Sequence, residues 1–202
     1  VSFGISGAHG TGKTTLARAI AAASNLVFFE TKTTELLAEI GISGVNNLDI
    51  ETRFRAQNHL LMRFWEISQK HPRPFISDRT PLDYVGYMLA EVSMHNTSAE
   101  LGARIDDYVE RALRVTSNTY LAVIVLDRLP AYDADPKRPA ANLAFQRHHQ
   151  LLVEAAAYRL PSSTNFYRMT TTDPEHRIDG ALQAIKTTSD DINRQRAEAR
   201  LM

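Results

Sequence analysis

Apolar positions along the chain come in two arrangements: short dense blocks, and longer stretches where they recur every three or four residues. The dense blocks are Val1 to Ile5, Leu26 to Phe29, Phe75 to Ser77, Tyr120 to Leu126 and Asn165 to Met169. Their β-branched and aromatic content and their turn-forming ends predict strands. Tyr120 to Leu126 is the most apolar and is expected to be buried on both faces, as in a parallel sheet. The periodic stretches predict helices over Lys13 to Ala23, Thr34 to Ile40, Asp49 to Lys70, Pro81 to Glu91, Ser98 to Val115 and Leu143 to Tyr158. A further helix opens at Asp173-Pro174, and the polar tail from Asp190 to Met202 predicts a weak helix of its own. Thr33 or Thr34 is expected to cap the second helix, with Gly41 as its stop. In the third, Phe54, Leu61, Phe64 and Trp65 share one stripe. Strands alternating with helices mean an α/β domain with a mainly parallel sheet. Neither a repeat nor a second core is visible, so residues 1–202 are expected to form a single domain.

Composition narrows the function classes. With 44% hydrophobic and 23% charged residues, the chain is neither disordered nor collagen-like. Lys plus Arg and Asp plus Glu number 23 each, so no global basic field attracts nucleic acid or acidic lipid. Cysteine is absent, which removes thiol catalysis and disulfides and fits a reducing, cytoplasmic setting. No apolar run approaches the ~20 residues that span a bilayer, and no signal peptide is expected ahead of Lys13.

The chemistry concentrates after the first strand. Gly7-Ala8-His9-Gly10-Thr11-Gly12-Lys13-Thr14 matches G-x-x-x-x-G-K-[ST] and lies between a predicted strand and a predicted helix. Glycines let such a loop turn its N–H groups around phosphate oxygens, and the helix adds its positive end. Lys13 then reaches the β- and γ-phosphates of ATP, and the Thr14 hydroxyl ligates magnesium. Thr15 is less constrained, and His9 reads more simply as an exposed loop position than as a catalyst. A loop of this kind also needs a carboxylate at a neighbouring strand end. Asp78, beside Arg79, and Asp127 both qualify, and on hydrophobicity alone Asp127 follows the stronger strand. The histidines form no H-E-x-x-H pair, so no zinc site is expected.

The loop, Glu30 at the end of the second strand, and Asp78-Arg79 at the end of the third together resemble the P-loop nucleoside and nucleotide kinases. Thymidylate, deoxynucleoside and ribosylnicotinamide kinases share this layout. Ser77-Asp78-Arg79-Thr80-Pro81-Leu82-Asp83-Tyr84 is especially similar to the ribosylnicotinamide kinase-like ATP-binding proteins. The resemblance implies a three-layer P-loop kinase fold with a five-stranded, mainly parallel sheet and a lid, here about 128–142. It implies that Asp78 lies near the metal or the acceptor hydroxyl and that Arg79 steadies phosphate, with Asp127 in reserve. Glu30 would face the acceptor, and Arg53 and Gln57, which share a helix face, would be tested for contact with it. Arg138 and Arg147 would supply lid charges that close over the transferring group.

The implied function is Mg-dependent transfer of the γ-phosphoryl group of ATP to a nucleoside- or nucleotide-like acceptor. Two alternatives remain. One is a kinase of hydroxymethylated bases (5-hydroxymethyluracil) in phage DNA, making DNA the acceptor. The other is a P-loop NTPase switch or nucleotide-binding module without kinase activity. Kinases of this shape are frequently homodimers.

Overall fold

In a computed structural model the described residues are 2–43, 48–92, 95–129 and 142–199. The chain runs β1 (Ser2–Ser6), α1 (Lys13–Ala23), β2 (Val27–Phe29), α2 (Thr33–Ala38), α3 (Ile50–Lys70) and β3 (Phe75–Ser77). It continues through α4 (Pro81–Val92), α5 (Ala99–Thr119), β4 (Ala122–Leu126), α6 (Leu143–Ala157), β5 (Asn165–Met169) and α7 (Pro174–Glu198). The polar tail does not form a separate helix; it extends α7 as one element to Glu198. The start of α2 also differs from expectation. Neither threonine caps it; Lys32 occupies the N-cap in a left-handed conformation (φ 43°) without a side-chain hydrogen bond.

Every strand pairs in parallel, in the order β2-β3-β1-β4-β5. The pleat sends alternate residues to two apolar clusters. Phe3, Ile5, Ile76 and Ile124 join Leu16 and Ile20 of α1 and Ala181 of α7 on one face. Phe75, Val123 and Val125 join Phe54 and Phe64 of α3, Tyr84 of α4 and Tyr108 of α5 on the other. Helices on both faces of the sheet make the three layers that the kinase resemblance implies. Among the described residues, no helix is long and apolar enough to cross a membrane.

On its second face β1 carries only Ser2, Gly4 and Ser6, because the space above it is already filled. A Cβ on Gly4 would stand 2.3 Å from a methyl of Thr80. The Ser6 and Thr80 hydroxyls instead meet at 2.5 Å, and Ser77 meets the Tyr120 hydroxyl at 2.6 Å. These contacts bring the start of α4 over the end of β1. The chain crosses the sheet one way from β1 to β2 and the other way from β3 to β4, and at such a reversal α/β sheets open a ligand crevice beyond their strand ends.

Helices α4 and α6 also pack closely. A Cβ on Gly86 would lie 2.6 Å from Val153 and 2.7 Å from the His149 ring. Gly102 on α5, in contrast, has nothing within 4 Å of that position. Alanine gains roughly 1 kcal/mol over glycine in a helix, whereas overpacking costs about 1–3 kcal/mol. Gly102→Ala should therefore raise the urea midpoint and Gly86→Ala lower it, although both are the same substitution in a helix.

Candidate active site

The loop between β1 and α1 turns on glycines with positive φ: Gly7 at 140°, Gly10 at 74° and Gly12 at 84°. A Cβ on Gly7 would also meet the Leu126 carbonyl oxygen at 2.7 Å. The loop leads into a helix with no side-chain cap. Asp49, Ser98, Asn142 and Asp173 cap α3, α5, α6 and α7 through their side chains, whereas Gly12 gives α1 no such bond and its first turn holds no acid. The first-turn N–H groups of a helix have no intrahelical partner, so those of α1 stand available to an anion. Gly12 and Thr15 are exposed at this mouth, and Thr14 is partly exposed.

Lys13 lies buried beneath the loop. Its Nζ donates to the carbonyls of Gly7 (2.6 Å) and Ala8 (2.8 Å) and stands 3.5 Å from the Asp83 carboxylate. Burial lowers its pKa to about 8; Arg79 adds to the effect, while Asp83 and Asp78 oppose it. Asp83 is itself fully buried and accepts from the N–H groups of Gly7 (3.3 Å) and Thr80 (3.0 Å).

Of the two candidate carboxylates, Asp78 stands beside the loop. Its Oδ2 accepts from the Thr14 hydroxyl at 2.8 Å, and its Oδ1 accepts from the N–H (3.1 Å) and hydroxyl (3.0 Å) of Thr31, just past β2. Asp127 turns the other way, to Arg168 at 3.1 Å. Arg79 does not form a surface pair with Asp78; its guanidinium lies near Tyr87, Asp83 and Tyr84. Glu30 is exposed and pairs with Arg18 at 3.3 Å, while Lys32 pairs with Glu35.

His9 is buried rather than solvent-exposed, with its ring 6.3 Å from that of Phe145 on α6. On α3, Arg53 pairs with Glu91 of α4 at 3.1 Å. Gln57 is buried one turn on, and among the described residues none hydrogen-bonds its Oε1. Trp65 is exposed instead of joining the core stripe. Arg147 is exposed on α6. Arg138 and most of the lid segment lie outside the described residues.

Several residues that shape the loop were not singled out in the sequence. On α6, Gln146 donates to the His9 carbonyl (2.8 Å), Gln150 accepts from the Ala8 N–H (2.9 Å), and His149 donates through Nε2 to the Asp83 carbonyl (3.2 Å). Burial pushes the His149 pKa down to about 3, so the ring stays neutral, stacked on Tyr87 at 4.0 Å. Arg177 on α7 donates to the Thr11 carbonyl at 2.6 Å. Thr80-Pro81-Leu82-Asp83 carried a readable signal, the spacing of a capping box. Polar residues on the inner face of α6 carried a weaker one, and Arg177 carried none.

The model of the AAA domain family matches residues 3–177. The chain therefore belongs to the AAA domain family. No curated protein matches it in sequence. Among solved structures, it is similar to deoxyadenosine kinase from M. mycoides with products dCMP and dCDP bound, at 16% identity and a TM-score of 0.65 over 93% of this chain and 100% of the other. Thymidylate kinase from Candida albicans is similar at 15% identity and a TM-score of 0.65, over 93% of this chain and 92% of that one. At these identities the likeness is one of fold: the α/β fold of the P-loop nucleotide kinases.

The Lys13 environment gives a pH prediction. A bound phosphate raises the pKa of a lysine it touches, so binding takes up a proton wherever free Lys13 is neutral. Mg·ATP affinity should hold up to about pH 8 and then fall, by up to about tenfold per pH unit. Isothermal titration from pH 7 to 9.5 on the wild type and Lys13→Met checks this; the variant should bind weakly and lose that slope.

Proposed function

We propose that the chain is a magnesium-dependent kinase that moves the γ-phosphoryl group of ATP to a hydroxyl or phosphate of a nucleoside-like acceptor. The observation that carries this reading is the 2.8 Å contact between the Thr14 hydroxyl and the Asp78 carboxylate. It joins the nucleotide loop to the end of the strand beside β2, where an acceptor would lie. Two hard oxygen donors so placed suit magnesium, whose remaining positions phosphate and water commonly fill. When bound, the ion neutralises charge on the phosphate oxygens.

The protein's own groups divide the remaining work. N–H groups from Gly10 to Thr15 and the Lys13 ammonium hold the β- and γ-phosphates. Asp78 stands where it can take the proton of an acceptor hydroxyl, within a network that fixes its orientation. Arg79 supplies positive charge from the next position. Glu30, Arg53 and Gln57 face the acceptor, the unpaired Gln57 carbonyl being suited to an N–H donor on a base. Arg138 and Arg147 contribute charge from the lid side. The likeness to deoxyadenosine kinase and thymidylate kinase makes deoxynucleosides and their monophosphates the first acceptors to test.

Transfer of labelled phosphate from ATP should be measured across nucleosides, nucleoside monophosphates, nicotinamide riboside and hydroxymethylated DNA. Product on a small nucleoside or nucleotide is expected. Label appearing in DNA alone would move the acceptor class to DNA, and hydrolysis that no acceptor stimulates would favour an NTPase switch. Asp78→Asn should lower turnover by at least about tenfold, with Asp127→Asn close to wild type. The opposite pattern would transfer the role to Asp127.

A further inference from the structure

A cradle of N–H groups binds phosphate only if its peptide planes face the right way. In a trans peptide the C=O and the next N–H point in opposite directions, so whatever holds the carbonyl also aims the amide. The peptide joining Gly7 and Ala8 follows this rule. Its carbonyl is held by Lys13 and its N–H, on the other side, by Gln150. The peptides ending in Gly10 and Gly12 have the greatest need of such control. Each places its N–H on a glycine with positive φ, where rotating the peptide plane meets little steric resistance. Loop stiffness alone cannot aim them.

We infer that Gln146 and Arg177 are the positioning residues that aim the Gly10 and Gly12 amides at a bound phosphate, by holding the His9 and Thr11 carbonyls from outside the loop. Gln146 is fully buried, and its Nε2 donates to the His9 oxygen at 2.8 Å. That leaves the Gly10 N–H directed away from α6. Arg177 is 5% exposed and donates to the Thr11 oxygen at 2.6 Å, which directs the Gly12 N–H away from α7. The guanidinium is itself fixed, because it also donates to the carbonyls of Thr171 (2.7 Å) and Asp127 (2.9 Å). Arg177 thereby ties the loop to the ends of β4 and β5, and Gln146 ties it to α6. Neither side chain is required to touch the nucleotide. The inference rests on nucleotide binding at this loop and does not depend on which acceptor is phosphorylated.

The test is heteronuclear NMR on protein labelled at its nine glycines, titrated with Mg·ADP. In the wild type the Gly10 and Gly12 amides should move strongly downfield as they bond to phosphate. Arg177→Ala should abolish the Gly12 shift and keep that of Gly10, and Gln146→Met should do the reverse, each weakening Mg·ADP binding by about tenfold. Arg177→Lys, which keeps one donor, should restore part of the Gly12 response. If Arg177→Ala fails to fold after losing its ties to Asp127 and Thr171, Gln146→Met and Arg177→Lys still decide the matter. Equal responses of both glycines in every variant, or their joint loss in each, would overturn the inference, since a merely structural role gives no residue-by-residue split. A wild-type protein whose glycines ignore Mg·ADP would remove nucleotide binding itself, a different failure.

Discussion

Unpaired main-chain N–H groups are costly to keep in a folded protein, and among the described residues nothing pairs with those at the start of α1. Elsewhere it spends Asp49, Ser98, Asn142 and Asp173 on capping long helices; at α1 it places Gly12 and caps nothing. A buried hydrogen-bonding group left without a partner costs about 1–3 kcal/mol, so the N–H groups of α1 must lie where water or a ligand can reach them. The exposure of Gly12 and Thr15 at the open ends of the strands meets that requirement. Positive helix-end charge, the Lys13 ammonium and turned peptide planes then reinforce one another at a single point.

The surroundings of the loop serve to hold this unsatisfied geometry. Lys13 closes the loop on its own carbonyls, Asp83 holds the Gly7 amide, and the polar inner face of α6 holds Ala8 and His9. Helix α6 can reach the loop because Gly86 lets it approach α4 closely. A packing feature of two helices is thus linked to the shape of the loop before α1. The small second face of β1 has a similar consequence: Gly4 admits Thr80, and Thr80 sets the start of α4 from which Asp83 reaches the loop.

Much of the fold was legible because its determinants are local. Lys13–Ala23 and Phe75–Ser77 match the predicted spans, and Asp49, Ser98 and Asp173 cap the helices whose starts they marked. The glycine-rich loop between β1 and α1 was readable for the same reason, since its glycines, lysine and threonine are contiguous. What depends on distant contact was harder to read. Asp127 follows the more apolar strand, but β5 brings Arg168 alongside it, while β2 brings Thr31 to Asp78. His9 looked like a loop residue open to water until α6 covered it. Arg177 is separated from Thr11 by 166 positions, and no local pattern announces such a bond.

The central claim is that the uncapped start of α1, closed by Lys13, is a triphosphate site. Equilibrium titration of Mg·ATP into the wild type and into Lys13→Ala at pH 7.5 tests it most directly. Saturable one-to-one binding is expected, and the substitution should weaken it by at least about a hundredfold, as for loss of a buried charge contact. Absence of binding in the wild type, or equal binding by both proteins, would contradict it.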